Sequence, residues 1–371
     1  MTAPGLRIAR VEAIPVALPL KRPLMSAAGT RRAAHCLLVR IEAADGTTGW
    51  GEAGESMTMT GETVAGMKDM VEAVLAPILV GHDAGMRAPL MRRIAADVYG
   101  NAAARAAVEM ALLDLAGRHY GVPACEMLGG AWRDGVSPLW FVGTGALESD
   151  IAEAKAKQAL GYRAFKMKAG VEPLETDIRR LRALREALGP DAALSVDANM
   201  AWDLPAAKRF VRAVADLDVL FVEQPLDRDD LPGMAEVARA STVAIGADEG
   251  IHGLGSVLAH HRAGAAAGVS LKPCKAGGVG EGVRLSATCA AMGISVHIAS
   301  LIESSIATAA VLQAGLAAPH LDWGISLTNH YLAEDLVEAP LTLVDGVMRR
   351  PAAPGLGVTV VPAQVERFRI R

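Results

Sequence analysis

The chain has 371 residues, 51% of them hydrophobic and 4% aromatic, and a net charge of −4. That length allows a large buried core and more than one small domain. Its charges are interspersed without a basic stripe, which excludes nucleic acid and anionic membranes as expected partners.

Cys36, Cys125, Cys274 and Cys289 show no paired metal spacing, so reduced, buried thiols are expected. No apolar run reaches the roughly 18–20 residues of a membrane span. Arg7, Arg10 and Glu12 interrupt any secretory core, and a cytoplasmic location is expected.

The first part reads as an α+β unit. Ile8 to Leu18 alternates as a strand, and Cys36 to Ala53 reads as a hairpin whose Asp45-Gly46 turn supplies positive φ. Helices are expected over Glu62 to Ala76, Pro89 to Val98 and Ala102 to His119, the last stopped by Gly121 and Pro123. Gly129-Gly130 then marks a boundary, giving a capping domain over residues 1–130.

From Ser137 strand and helix alternate. Leu139 to Val142 and Ala164 to Lys168 read as strands, and Ala152 to Leu160 and Glu175 to Leu188 as helices. Three short apolar runs follow, ending in Asp197, Glu223 and Asp248 at intervals of 26 and 25 residues. Further strands are expected at Gly268 to Lys272, Ile294 to His297 and Leu321 to Trp323. Seven or eight such units predict a parallel barrel over residues 131–340. Residues 341–371 are expected to return as strands covering the first domain.

A strand, a helix and two loops occupy roughly 25 residues. The three acids therefore sit at the ends of consecutive strands, where a barrel gathers its chemistry. Three converging carboxylates describe a site for a hard divalent cation. Lys166-Met167-Lys168 lies one unit before them, and Lys272 one unit after. Alternate strand residues share a face, so Lys166 and Lys168 point into one space and depress each other's pKa toward that of a base. The alternative is a solvated pair on the barrel rim.

In a closed barrel Lys168 and Lys272 approach the centre from opposite sides. They can then remove or deliver a proton on either face of a carbon next to a carboxylate. A cation and a protonated Lys166 would stabilise the resulting enolate.

Other residues have two readings each. Asn199 either places an amide near the metal site or caps the next helix. Glu249 is expected to point away from the metal and orient Lys272 or a ligand. Glu303 either faces the site or heads the following helix. His297 is a catalytic group or a hydrogen-bonded structural one, and Trp323 either walls the pocket or plugs the barrel.

Phe165-Lys166-Met167-Lys168, Val196-Asp197-Ala198-Asn199, Val222-Glu223-Gln224-Pro225, Ala247-Asp248-Glu249, Leu271-Lys272, Ile302-Glu303 and Pro354-Gly355-Leu356-Gly357 together resemble the enolase superfamily, in particular its muconate lactonizing enzyme subgroup. The resemblance covers nearly the whole chain. It implies an α/β architecture, a modified TIM (β/α)7β barrel with an N-terminal α+β capping domain. It implies Mg²⁺ or Mn²⁺ held by Asp197, Glu223 and Asp248, Lys168 and Lys272 as the acid/base pair, and association into homo-oligomers.

The implied substrate is a small carboxylate and the implied activity that of a muconate cycloisomerase-like isomerase. N-acylamino acid racemase, o-succinylbenzoate synthase, and amino-acid epimerase or dehydratase are the alternatives. Asp322-Trp323-Gly324 resembles the cycloisomerases, whereas Ile302 to Ser305 and Tyr331 to Glu338 look like the racemase and synthase branch. Cap segments around Met25-Ser26 and Met57-Thr58-Met59-Thr60 are expected to close over the ligand and set specificity.

Overall fold

The computed structural model describes residues 6–26, 29–143 and 146–371, without the side chains of residues 25, 26 and 29. The capping part opens with β1 (Ile8–Ser26), paired antiparallel to β2 (Gly29–Ala43), which in turn pairs with β3 (Thr48–Gly54). β1 runs past the expected end at Leu18. After a register shift between Pro19 and Leu24 the pairing resumes, with Leu24 opposite Arg31.

Helices α1 (Val64–Met70) and α2 (Ala76–Leu79) are joined by a wider turn over Val71–Leu75. Then come α3 (Arg87–Asp97) and α4 (Ala102–Tyr120). α1 begins two residues later than expected because Thr63 caps it through the Gly66 amide. Glu62 is used elsewhere: its carboxylate accepts from the Ala103 and Ala104 amides at the open end of α4.

β3 lies against α4 with glycines at the contact. A Cβ on Gly49 would stand 2.2 Å from the Ala111 carbonyl oxygen, and one on Gly51 2.0 Å from that of Ala107. Backbone meets backbone there, so only glycine fits.

Past β4 (Gly135–Val136), the described residues form one parallel sheet of seven strands. In spatial and chain order these are β5 (Leu139–Val142), β6 (Ala164–Lys168), β7 (Ala193–Asp197), β8 (Val219–Glu223), β9 (Ile245–Ala247), β10 (Gly268–Leu271) and β11 (Ser295–Ile298). The ring closes through Ile325, which bridges Ile298 on one side and Pro138 on the other.

The eighth strand was expected at Leu321 to Trp323. The bridge falls later because Leu321–Gly324 makes a turn and the Asp322 carboxylate accepts from the Val296 amide. Helices follow the strands in turn: α5 (Leu147–Ala159), α6 (Leu174–Leu188), α7 (Leu204–Ala213), α8 (Leu231–Ala240), α9 (Leu254–Ala263), the short α10 (Pro273–Ala276) with α11 (Val279–Ala291), and α12 (Ser305–Ala317). This is a (β/α)7β barrel.

α12 is buried on every side because the barrel covers one face and β3 another. The last stretch departs from the expected returning strands. β12 (Met348–Arg349) pairs with β4, and α13 (Pro362–Phe368) lies against β1 with Arg369 bridging Val16. All four cysteines are buried and unpaired. Among the described residues no helix is long and apolar enough to cross a membrane.

Candidate active site

The carboxyl ends of the barrel strands open into a cavity of about 590 Å³. Parallel register sets Lys168 beside Asp197, and Asp197 beside Glu223. β6 and β10 have three elements between them in either direction around the ring, so Lys168 and Lys272 stand diametrically opposed. Both line the cavity, as do Lys166, Asp197, Glu223 and Asp248.

Each acid is met by an amine. Lys166 donates to Glu223 at 2.6 Å, and Lys168 to Asp197 at 2.5 Å. Lys272 donates to Asp248, which also accepts from Lys275 at 2.6 Å. Lys275 was missed by the sequence reading. It sits three residues after Lys272 on α10, a helix too short to show a periodic pattern.

The lysine pKa expectation is corrected here. Burial pulls the Lys168 ammonium down, but the Asp197 charge and hydrogen bond outweigh it, and the net shift is upward. Lys272 behaves likewise: burial opposes, Asp248 prevails, and the pKa rises. Facing carboxylates, not neighbouring cations, decide both.

The acids respond in turn. Burial raises Asp248, yet Lys272 and Lys275 bring it down to about 2. Glu223 is also held low, by Lys166 and His297 against the cost of burial. Asp197 ends up raised, by burial first and then by Glu223 and Asp248, with Lys168 opposing.

The donor set fits a divalent cation. Three buried carboxylates share one strand-end cluster and repel one another, and all are hard oxygen donors. Among the described residues, no three such groups stand at ligating separation, because each acid is drawn onto a lysine instead.

Asn199 does not cap the next helix; Asp203 does, through the Ala206 amide. Asn199 accepts from Lys168 at 3.1 Å and donates to Glu249 at 3.1 Å. Glu249 therefore turns into the cavity and reaches Lys168 through Asn199, rather than orienting Lys272. Among the described residues its second oxygen is buried without a hydrogen-bond partner, and burial beside Asp248 and Asp197 pushes its pKa up to about 7.

His297 is a structural member of the floor. It lies 3.2 Å from the Lys166 amine, 2.9 Å from the Ser270 hydroxyl and 2.8 Å from that of Ser326. Burial and Lys166 lower its pKa to about 4, which keeps the ring neutral.

Three expected contacts fall elsewhere. Glu303 turns away from the cavity and accepts from the Gly54 amide at 2.9 Å and the Leu301 amide at 3.1 Å, tying the barrel to β3. Trp323 stacks on Phe221, ring centroids 4.2 Å apart, over Gly246 and Gly268; it plugs the barrel and does not line the cavity. Met57 is 68% exposed, and Thr58 and Met59 form the wall in its place. The expectation for Ser26 concerns a side chain outside the described residues. Tyr331 and Arg31 also line the cavity, on elements whose facing no local pattern fixed.

Comparison with known proteins gives this geometry a family. Residues 8–129 match the mandelate racemase / muconate lactonizing enzyme N-terminal domain model, and residues 150–364 the enolase C-terminal domain-like model. Muconate cycloisomerase 1 of Pseudomonas putida is 34% identical, over 98% of this chain and 99% of its own. L-Ala-D/L-Glu epimerase of Bacillus subtilis is 30% identical, over 95% and 97%. The crystal structure of muconate lactonizing enzyme from Pseudomonas fluorescens, complexed with muconolactone, superposes with a TM-score of 0.95 at 33% identity, covering 98% of this chain and 99% of that one. The chain belongs to the mandelate racemase / muconate lactonizing enzyme family of the enolase superfamily and is an isomerase-type enzyme similar to the muconate cycloisomerases.

Proposed function

We propose that the protein forms a stabilised enolate from a carboxylate substrate, with Lys168 and Lys272 as acid/base residues on its two faces. The observation that carries this reading is their opposed placement across a closed ring, with three buried acids between them. Asp197, Glu223 and Asp248 would hold a divalent cation, Mg²⁺ or Mn²⁺, which supplies Lewis-acid stabilisation of carboxylate and enolate charge.

Lys166, buried and paired with Glu223, adds a fixed positive charge beside the same oxygens. Asn199 and Glu249 hold the Lys168 amine in place. Leu301, Met59 and Phe141 supply apolar wall to the same cavity.

The leading reaction is cycloisomerisation of a muconate-like diacid. One carboxylate oxygen adds to a carbon–carbon double bond, and an ammonium delivers the proton to the carbon beside the other carboxylate. Likeness to the muconate cycloisomerases along the full chain supports it. Racemisation or epimerisation of an N-substituted amino acid is the second reading, favoured by the presence of an amine on each face. Incubation in D₂O with Mg²⁺ separates them by mass spectrometry: a cycloisomerase deuterates only its lactone, and a racemase exchanges recovered substrate. No turnover or exchange on muconates, N-acylamino acids, dipeptides or cyclic imino acids would overturn the proposal.

A further inference from the structure

The cavity has a fourth cation that the enolate chemistry does not use. Lys166, Lys168 and Lys272 each donate to a carboxylate. Arg31 also lines the cavity, yet among the described residues it has neither hydrogen-bond nor ion-pair partner. It stands on β2 directly across from Leu24 on β1. Directly opposed residues in an antiparallel pair share a face, and Leu24 lines the cavity too. The hairpin thus presents one apolar and one cationic side chain to the cavity.

Leu24, Phe141, Leu301 and Ile302 give the same cavity an apolar part of its wall. Among the acids of the lining Asp227 is the exposed one, and one of its oxygens accepts from the Asp229 amide of its own turn. The cavity therefore combines a buried cluster of paired charges, an apolar part of its wall and one exposed guanidinium without a partner among the described residues.

We propose that Arg31 binds a second anionic group of the substrate, so that the enzyme selects dicarboxylates over monocarboxylates of the same length. A planar guanidinium offers a carboxylate two parallel hydrogen bonds, which a single ammonium cannot match. The assignment rests on the reading that the inner carboxylate sits among the lysines, and it narrows the substrate class of that site. Arg31 touches no reacting atom; it is a specificity-determining residue.

The test uses matched pairs with Mg²⁺ present: cis,cis-muconate against 2,4-hexadienoate, and an N-succinylamino acid against its N-butyryl counterpart. Binding is read by calorimetry and turnover separately. One hydrogen-bonded charge pair corresponds to roughly a 10- to 100-fold preference. Wild type is expected to bind at least one diacid that much more tightly than its partner. Arg31→Leu should abolish the preference, and Arg31→Lys should restore part of it. Arg31→Leu should raise KM for the diacid while kcat stays within a few-fold, the signature of a remote binding contact. Arg31 is exposed, so the substitution leaves the core intact.

Equal affinity within both pairs, or a preference that survives Arg31→Leu, overturns the assignment. Diacid preference without any turnover would instead sink the catalytic proposal and leave the Arg31 assignment standing.

Discussion

At the residue scale, the site depends on which charges face which. Lys168→Ala and Lys272→Ala are each expected to lower kcat by about 10²- to 10⁴-fold, the usual contribution of a positioned acid or base. Circular dichroism should show both variants folded, since Lys275 still meets Asp248 when Lys272 is gone. A loss confined to one variant points to a one-base reaction; loss of deuterium exchange in both points to two.

His330 gives a pH prediction away from the acids. Burial, with Lys157 and Lys21 nearby, lowers its pKa from 6.5 to about 3, and its ring stacks on Trp140 at 4.5 Å. The folded state holds the ring neutral while the unfolded chain protonates it. Its contribution to stability is therefore full above pH 6.5 and falls as pH drops from 6.5 toward 3. His330→Phe keeps the stacking and removes the titration. Melting temperature plotted against pH should decline less steeply for this variant over that interval; parallel curves would refute the role.

At the element scale, the β3–α4 contact packs the sheet of the cap against its long helix. Gly49→Ala and Gly51→Ala place a methyl group inside a carbonyl oxygen's radius, and each should cost about 1–3 kcal/mol or more in urea unfolding. Gly255 on α9 has open space around its Cβ position and serves as the control. There alanine should be neutral or stabilise by up to about 1 kcal/mol. Equal effects at all three positions would mean that the close approach is not the cause.

The same scale explains Glu303. Its neighbours Ser304 and Ser305 begin α12, but Glu303 itself is claimed by the Gly54 amide of another element. Local sequence has no means of announcing that claim.

At the scale of the whole molecule, the ring concentrates three buried acids at one end and balances them with four amines. A cation that binds the folded state alone must stabilise it, by about 2.7 kcal/mol at a hundredfold excess over its dissociation constant. The melting temperature is expected to rise with Mg²⁺ and to return on chelation. Asp248→Asn should blunt that response. A melting temperature indifferent to Mg²⁺ and Mn²⁺ would remove the metal from the account.

The regular 26- and 25-residue spacing of Asp197, Glu223 and Asp248 was legible because each βα unit advances the chain by one strand of the ring. Lys166 and Lys168 were legible for the same reason, since strand alternation fixes which side chains share a face. Sequence by itself thus determined the barrel, its cap and the strand-end positions of the charged residues. Only the tertiary structure decided the rest: that Trp323 fills the ring beneath the site, that Glu303 serves the cap, that Lys275 joins Asp248, and that Arg31 lines the cavity without a partner among the described residues. Periodicity acts within an element, whereas these contacts join residues far apart in the chain, whose facing is set only when the ring closes and the hairpin folds over it.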